Sequence, residues 1–204
     1  MVRFLFDMDG TVTALETLPM VARRYGLVDE VEPLTAMAVR GEMPFEDSFL
    51  QRVQVLGRLP VDEVSNLIAH APLHQLVADF IARHARQCAV VTSNLDCWCR
   101  SLIASLGCRA HCSAARVENN RVKTVTSVLC KQDVVDEYRH AGDRVVFIGD
   151  GHNDLAAMTH AHVAVAVGLL PGTPAPELSA VAHHVCNDEA SLCRLLGSLA
   201  DNHR

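Results

Sequence analysis

Four short apolar runs limit what this 204-residue chain can fold into. The run "VRFLF" at residues 2 to 6 stops at "DMDGT", and "QCAVVTSN" (87 to 94), "DRVVFIGDG" (143 to 151) and "AHVAVAVG" (161 to 168) likewise end in polar or glycine residues. Strands buried on both faces of a parallel sheet read this way, as apolar runs without polar alternation. Helical patterns lie between them, such as "LDCWCRSLIASLG" and "CKQDVVDEYRHAG", each closed by a glycine in the usual C-terminal position. Strands alternating with helices predict an α/β fold, a doubly wound, Rossmann-like parallel sheet. Ligands bind such sheets beyond the carboxyl ends of the strands, where these runs place their polar residues.

The span from Ala14 to Pro72 breaks the alternation. There, "ALETLPMVARRYG", "EVEPLTAMAVRG", "PFEDSFLQRVQVLG" and "VDEVSNLIAHA" carry apolar residues at helical spacing, and no convincing strand intervenes. The expected division is an α/β catalytic core of residues 1–13 and 73–204, with a small helical cap of residues 14–72 inserted after the first strand. An insert at that point can roof the site. The segment "LLPGTPAPE" (169 to 177) reads as a Pro/Gly loop, and His183-His184 as a surface turn.

Half of the residues are apolar and 21% are charged, enough for a packed core. Net charge is −6 with no block of Lys and Arg, so nucleic acid is not an expected partner. No apolar run reaches the length of a membrane span, and the N-terminus lacks the order of a signal peptide. A cytoplasmic protein without a membrane partner, monomer or homodimer, is expected. The eight cysteines read as free thiols in a chain of this length and kind. Around Cys97, Cys99, Cys108, His111 and Cys112 the spacing lacks the paired C-x-x-C of a structural zinc site.

Asp7 and Asp9 stand two positions apart just past the first strand, and Gly10 allows the backbone to bend both into one site. Two carboxylates so close repel each other, so one is protonated or a cation sits between them. A hard cation such as Mg²⁺ takes oxygen ligands and keeps several waters, which leaves room for a phosphate oxygen. "GDGHND" brings Asp150 and Asp154, with Asn153 beside them, to another strand end. These acids predict one shared cation site.

A D-x-D pair alone is weak, because acidic strand ends are common. The ordered set is specific: a strand into DxDGT, a strand into Thr-Ser, a lone Lys at a helix start, and a strand into GDGxND. With that set the chain resembles the haloacid dehalogenase-like hydrolase superfamily, and within it the phosphoserine phosphatase branch, over nearly its whole length. The resemblance implies that Asp7 is the nucleophile that forms an aspartyl-phosphate and Asp9 the general acid and base. It implies that Thr92 bonds a phosphoryl oxygen and that Lys131 sets a cation against the nucleophile. Asp7, the Asp9 backbone carbonyl and Asp150 match the ligands of Mg²⁺, with Asp154 supporting them.

In the helical segment, "RGEMPFEDSFLQRVQVLGRLP" is similar to the branch's cap, and "ALETLP" to its stretch just after the first motif. By that match Glu16 faces the substrate ammonium, Arg52 its carboxylate, and Met43 and Phe45 pack over it, while Gly10 and Asn153 border the phosphate. The physical logic stands beside the match, since Arg binds carboxylate bidentately. The branch usually carries Gly-Gly after the hydroxyl of the second strand. Here Ser93-Asn94 fills that place, with side chains where bare backbone could approach a ligand. The implied substrate is a small phosphorylated metabolite, L-phosphoserine first. Alternatives are another small phosphate ester, phosphotransfer by the same mechanism, or, from another class, a phospho-accepting signalling receiver. Receivers are shorter and lack a helical segment after the first strand.

Overall fold

The computed structural model describes residues 1–39 and 42–201. The chain begins with β1 (Val2–Phe6) and passes through α1 (Thr17–Tyr25), α2 (Val28–Val39), α3 (Phe45–Leu56), α4 (Val61–Ala69) and α5 (Gln75–Arg83). It continues with β2 (Cys88–Leu95), α6 (Asp96–Leu106), β3 (Arg109–Glu118), β4 (Arg121–Ser127), α7 (Lys131–His140) and β5 (Arg144–Gly149). After a 3₁₀ turn (His152–Asp154) come α8 (Leu155–His160), β6 (Val163–Val167), α9 (Pro176–Val181), β7 (His184–Cys186) and α10 (Glu189–Asp201).

The strands form one sheet in the order β4-β3-β2-β1-β5-β6-β7, parallel throughout except for the antiparallel β3–β4 pair. The doubly wound sheet expected from the apolar runs is thus observed, and both its faces are covered. Phe4 and Phe6 point to one face, where Phe80 of α5 meets Phe4 edge to face at 5.3 Å between ring centroids. Leu5 points to the other and packs with Phe147 and the inner residues of α7, α8 and α9. Burial of each such side chain contributes about 1.5–3 kcal/mol, which is why the strand tolerates no polar alternation. Because β1 pairs with β2 on one side and β5 on the other, the crevice at the carboxyl end of β1 is the ligand position of an open α/β sheet.

The helices α1 to α4 leave and rejoin the core through a narrow neck. Ala14 N–H donates to Pro72 O at 2.8 Å and His74 N–H to Val12 O at 2.9 Å, so the outgoing and returning chains pair side by side. Helix α1 ends at Gly26 in the left-handed conformation (φ 69°), as its sequence predicts.

One element lies outside the sequence reading and a second differs from it. "ARVENNRVKTV" forms the β3–β4 hairpin, turned at Asn119 and Asn120 with φ of 49° and 60°. Asn tolerates this left-handed pair, which matches the twist of the strands. The second is β7, which begins at His184 where a turn was expected. There His183 Nδ1 accepts a hydrogen bond from Ala164 N–H at 3.0 Å, tying the added strand to β6. Among the described residues, no helix is long and apolar enough to cross a membrane.

Candidate active site

Past β1 the backbone stays paired for one more residue, with Asp7 N–H donating to Ile148 O at 2.8 Å, and then turns. Val12 and Thr13 N–H both donate to Met8 O at 2.9 Å, closing a loop that presents Asp7 and Asp9 at the sheet edge. Gly10 has φ +74°, and a Cβ there would collide with the Asp150 carboxylate. Glycine is needed on both counts. Gly149, at the end of β5, is bare for a similar reason, since a Cβ would run into Asp154.

Lys131, the first residue of α7, is 4% exposed and joins the two acidic loops. Its Nζ lies 2.7 Å from Asp7 Oδ1 and 2.7 Å from Asp154 Oδ1. Asp154 Oδ2 accepts from the N–H groups of Asp150 and Gly151, both at 3.1 Å. Both oxygens of Asp154 are therefore engaged within the protein, which suits it to orient Asp150 and Lys131. Thr11 Oγ1 donates to Asp150 Oδ1 at 3.3 Å.

Carboxylate oxygens of Asp7, Asp150 and Asp154 lie within 4.8 Å of one another, all buried. Three carboxylates against one ammonium leave an excess of two negative charges. Burial, then Asp154, pushes Asp7 well above the usual carboxylate range, while Lys131 opposes. Burial, Asp154 and Glu16 push Asp150 up to about 8. Burial alone lowers the pKa of Lys131, yet Asp154 and Asp7 outweigh it and hold the ammonium above its ordinary value. An all-oxygen, doubly anionic cluster fits a hard divalent cation. Asp9 is separate from this cluster. Burial raises its pKa, and Thr17, Lys131 and Arg52 oppose.

Above the acids lies a cavity of about 80 Å³, bordered by Asp7, Asp9, Thr92, Ser93, Asn94, Asp150 and Asn153 on the sheet side. Glu16, Phe45 and Arg52 close it from the helical side, with Leu18 and Phe49. Phe45 and Phe49 stack at 6.3 Å, and the Arg52 guanidinium stands 5.8 Å from the Phe45 ring centroid. Arg52 is 6% exposed and donates from Nε to Ser48 O at 3.3 Å. Among the described residues no carboxylate lies within ion-pairing distance of it. Burial lowers its pKa, and the more distant Glu16 and Asp9 oppose. The Glu16 carboxyl is pushed up to about 7 by its protein surroundings and by Asp9, with Arg52 opposing. Glu16 is nevertheless exposed at the pocket mouth, where water screens part of that effect.

The pocket thus gathers every residue singled out in the sequence except four. Lys131 and Asp154 lie beneath it, Gly10 shapes its floor, and Met43 stands aside with its Sδ 3.7 Å from Gln51 Nε2. Leu18 and Phe49 were not singled out. Phe49 had a signal, because it follows Phe45 by four residues and precedes Arg52 by three on one helix face. A larger open groove of about 890 Å³ runs between α3 and the β3–β4 hairpin, but among the described residues Glu118 is the one acid on its walls.

The model of the haloacid dehalogenase-like hydrolases matches residues 4–159. The phosphoserine phosphatase of Halobacterium salinarum is 28% identical over 97% of this chain and 96% of its own length. That of Idiomarina loihiensis is 26% identical, covering 96% of this chain and 92% of its own. Among solved structures, a substrate-bound phosphoserine phosphatase complex superposes with a TM-score of 0.80 at 22% identity, over 95% of this chain and 97% of that one, a likeness of fold. These findings agree with the phosphatase class and the branch expected from the motifs. By the span of the family match and the order of its acidic loops around one pocket, the chain belongs to the haloacid dehalogenase-like hydrolases.

Proposed function

We propose that the protein is a Mg²⁺-dependent phosphomonoester hydrolase that works through an aspartyl-phosphate on Asp7, with L-phosphoserine as substrate and serine as product. The observation that carries this reading is the pairing of Asp7 with Lys131 at 2.7 Å, beneath a small pocket that Asp7 and Asp9 both border. Asp7 attacks phosphorus while the bond to the ester oxygen breaks, and Asp9 gives that oxygen its proton. Asp9, now ionised, takes a proton from water. The water oxygen attacks phosphorus, the bond to Asp7 breaks, and inorganic phosphate leaves. Lys131 and the Thr92 hydroxyl meet the charge that gathers on the equatorial oxygens. Mg²⁺ held by Asp7, the Asp9 carbonyl and Asp150 supplies charge neutralisation and orientation of the phosphate. Asp154 fixes the positions of Asp150 and Lys131.

Residues 14–72 act as a cap that excludes bulk water during the first displacement. An amino-acid phosphate ester carries one ammonium and one carboxylate beyond the phosphate. Glu16 and Arg52 both border the pocket as partners for those two groups, and the Arg52 guanidinium, without an ion-pair partner among the described residues, favours a carboxylate.

A second reading has its own support. Ser93 and Asn94 put side chains on the pocket wall, which favours a different small alcohol in the same chemistry. The test is phosphate release from L-phosphoserine, phosphothreonine, sugar phosphates, nucleoside monophosphates and an aryl phosphate, with Mg²⁺ and with chelator. Dominance of phosphoserine and silence in chelator are expected. A different winning ester keeps the mechanism and removes the roles of Glu16 and Arg52, and no release from any ester removes the hydrolase reading.

A further inference from the structure

Asn94 ends the polar stretch of β2, and Thr17 opens α1, 77 residues away in the chain. Asn94 Oδ1 accepts from Leu95 N–H at 2.8 Å, which fixes the orientation of the amide. Its Nδ2 group then points to Thr17 Oγ1 and donates to it at 2.9 Å. Thr17 N–H in turn donates to Asp9 Oδ1 at 2.7 Å, so the residue that Asn94 holds by its hydroxyl is the one that holds the Asp9 carboxylate by its backbone. Thr17 is fully buried and stands outside the pocket lining, so it acts on the reaction only through its neighbours.

We infer that Asn94 and Thr17 are positioning residues that aim the Asp9 carboxyl at the ester oxygen leaving phosphorus. This deepens the hydrolase reading above and rests on it. The sequence puts Asn94 where the related branch usually has glycine, and the hydrogen-bonded chain gives that side chain a task that bare backbone cannot perform. It also ties the core to the helical segment, because Asn94 belongs to the sheet while Thr17 begins the first helix beyond it. The clasp could serve only to hold α1 on β2, and the experiment separates that role from an effect on Asp9.

An alkyl ester needs its leaving oxygen protonated, whereas 4-nitrophenolate departs without help. The kcat/KM of Thr17→Val, Asn94→Ala and Thr17→Ser is therefore measured on L-phosphoserine, or on the best alkyl ester of the panel, and on 4-nitrophenyl phosphate. Because kcat/KM reports only the steps through the first displacement, later hydrolysis of the acyl phosphate does not blur it. Thr17→Val keeps the buried volume, and Asn94→Ala breaks the chain at its other end. Both are expected to lose about tenfold or more on the alkyl ester and less than about threefold on the aryl ester. Thr17→Ser, which restores the hydroxyl, is expected to recover most of the loss. Equal losses on both esters, or no loss on either, overturn the inference and leave a clasp that is only structural. A wild-type protein inert towards every ester overturns the hydrolase reading, and this inference with it.

Discussion

Lys131 Nζ stands 2.7 Å from Asp7 Oδ1, with the two side chains 3% and 7% exposed. So little water reaches the pair that its attraction is only weakly screened, and the same ammonium is placed to meet charge that gathers on a phosphoryl group bound at Asp7. Lys131→Met keeps the length of the side chain and removes that charge. The expected loss in kcat is on the order of 10²–10³-fold or more, read by phosphate release at saturating substrate. Activity within tenfold of wild type would take Lys131 out of the reaction.

The same pair makes Asp7→Asn the sharpest test of the nucleophile. Asn has nearly the same shape, so the loop closed by Met8 O keeps its form, yet the amide cannot attack phosphorus. Turnover is expected to fall by on the order of 10⁴-fold or more with the circular dichroism unchanged. Retained turnover in a folded Asp7→Asn protein would reassign the nucleophile.

Arg52 tests substrate identity rather than chemistry. Losing a hydrogen-bonded charge contact costs about 2–3 kcal/mol, so Arg52→Ala should raise KM for phosphoserine roughly 30- to 150-fold. An aryl phosphate has no carboxylate and should change by less than about threefold on the same principle. Equal changes on both substrates would mean that Arg52 serves packing against Phe45, not recognition.

The legible parts of this molecule were those that repeat a local rule. Buried strands of β1, β2, β5 and β6 announce themselves because each faces apolar residues on both sides, and Asp7, Asp9, Asp150 and Lys131 stand at their ends or at a helix start. The β3–β4 hairpin was harder to see, since its half-exposed strands mix Arg, Lys, Thr and Val without a clean alternation. Short β7 pairs with β6 over three residues beside a hydrogen bond from Ala164 N–H to the His183 ring, which no local pattern encodes. Nothing in the sequence links Asn94 to Thr17. That contact exists only once the sheet brings β2 beside the start of α1.

The acid cluster should make the metal-free protein lose stability as pH rises. Asp150 is pushed up to about 8 by burial, Asp154 and Glu16, from an ordinary value of 3.8. Between those two values the folded chain keeps a proton that the unfolded chain has released, so stability falls with rising pH. The contribution is complete below the lower value and gone above the higher one. Asp150→Asn has no such proton to lose. In chelator its melting temperature should exceed that of wild type at about pH 8, and the gap should close towards about pH 4.5. Mg²⁺ prefers ionised carboxylates, so its stabilisation of wild type should grow across the same window, reaching about 2.7 kcal/mol at a hundred times its Kd. Thermal melts of both proteins at three pH values, with Mg²⁺ and with chelator, decide it. A gap that does not change with pH would mean that Asp150 is ionised without a cation and that Lys131 alone balances the cluster.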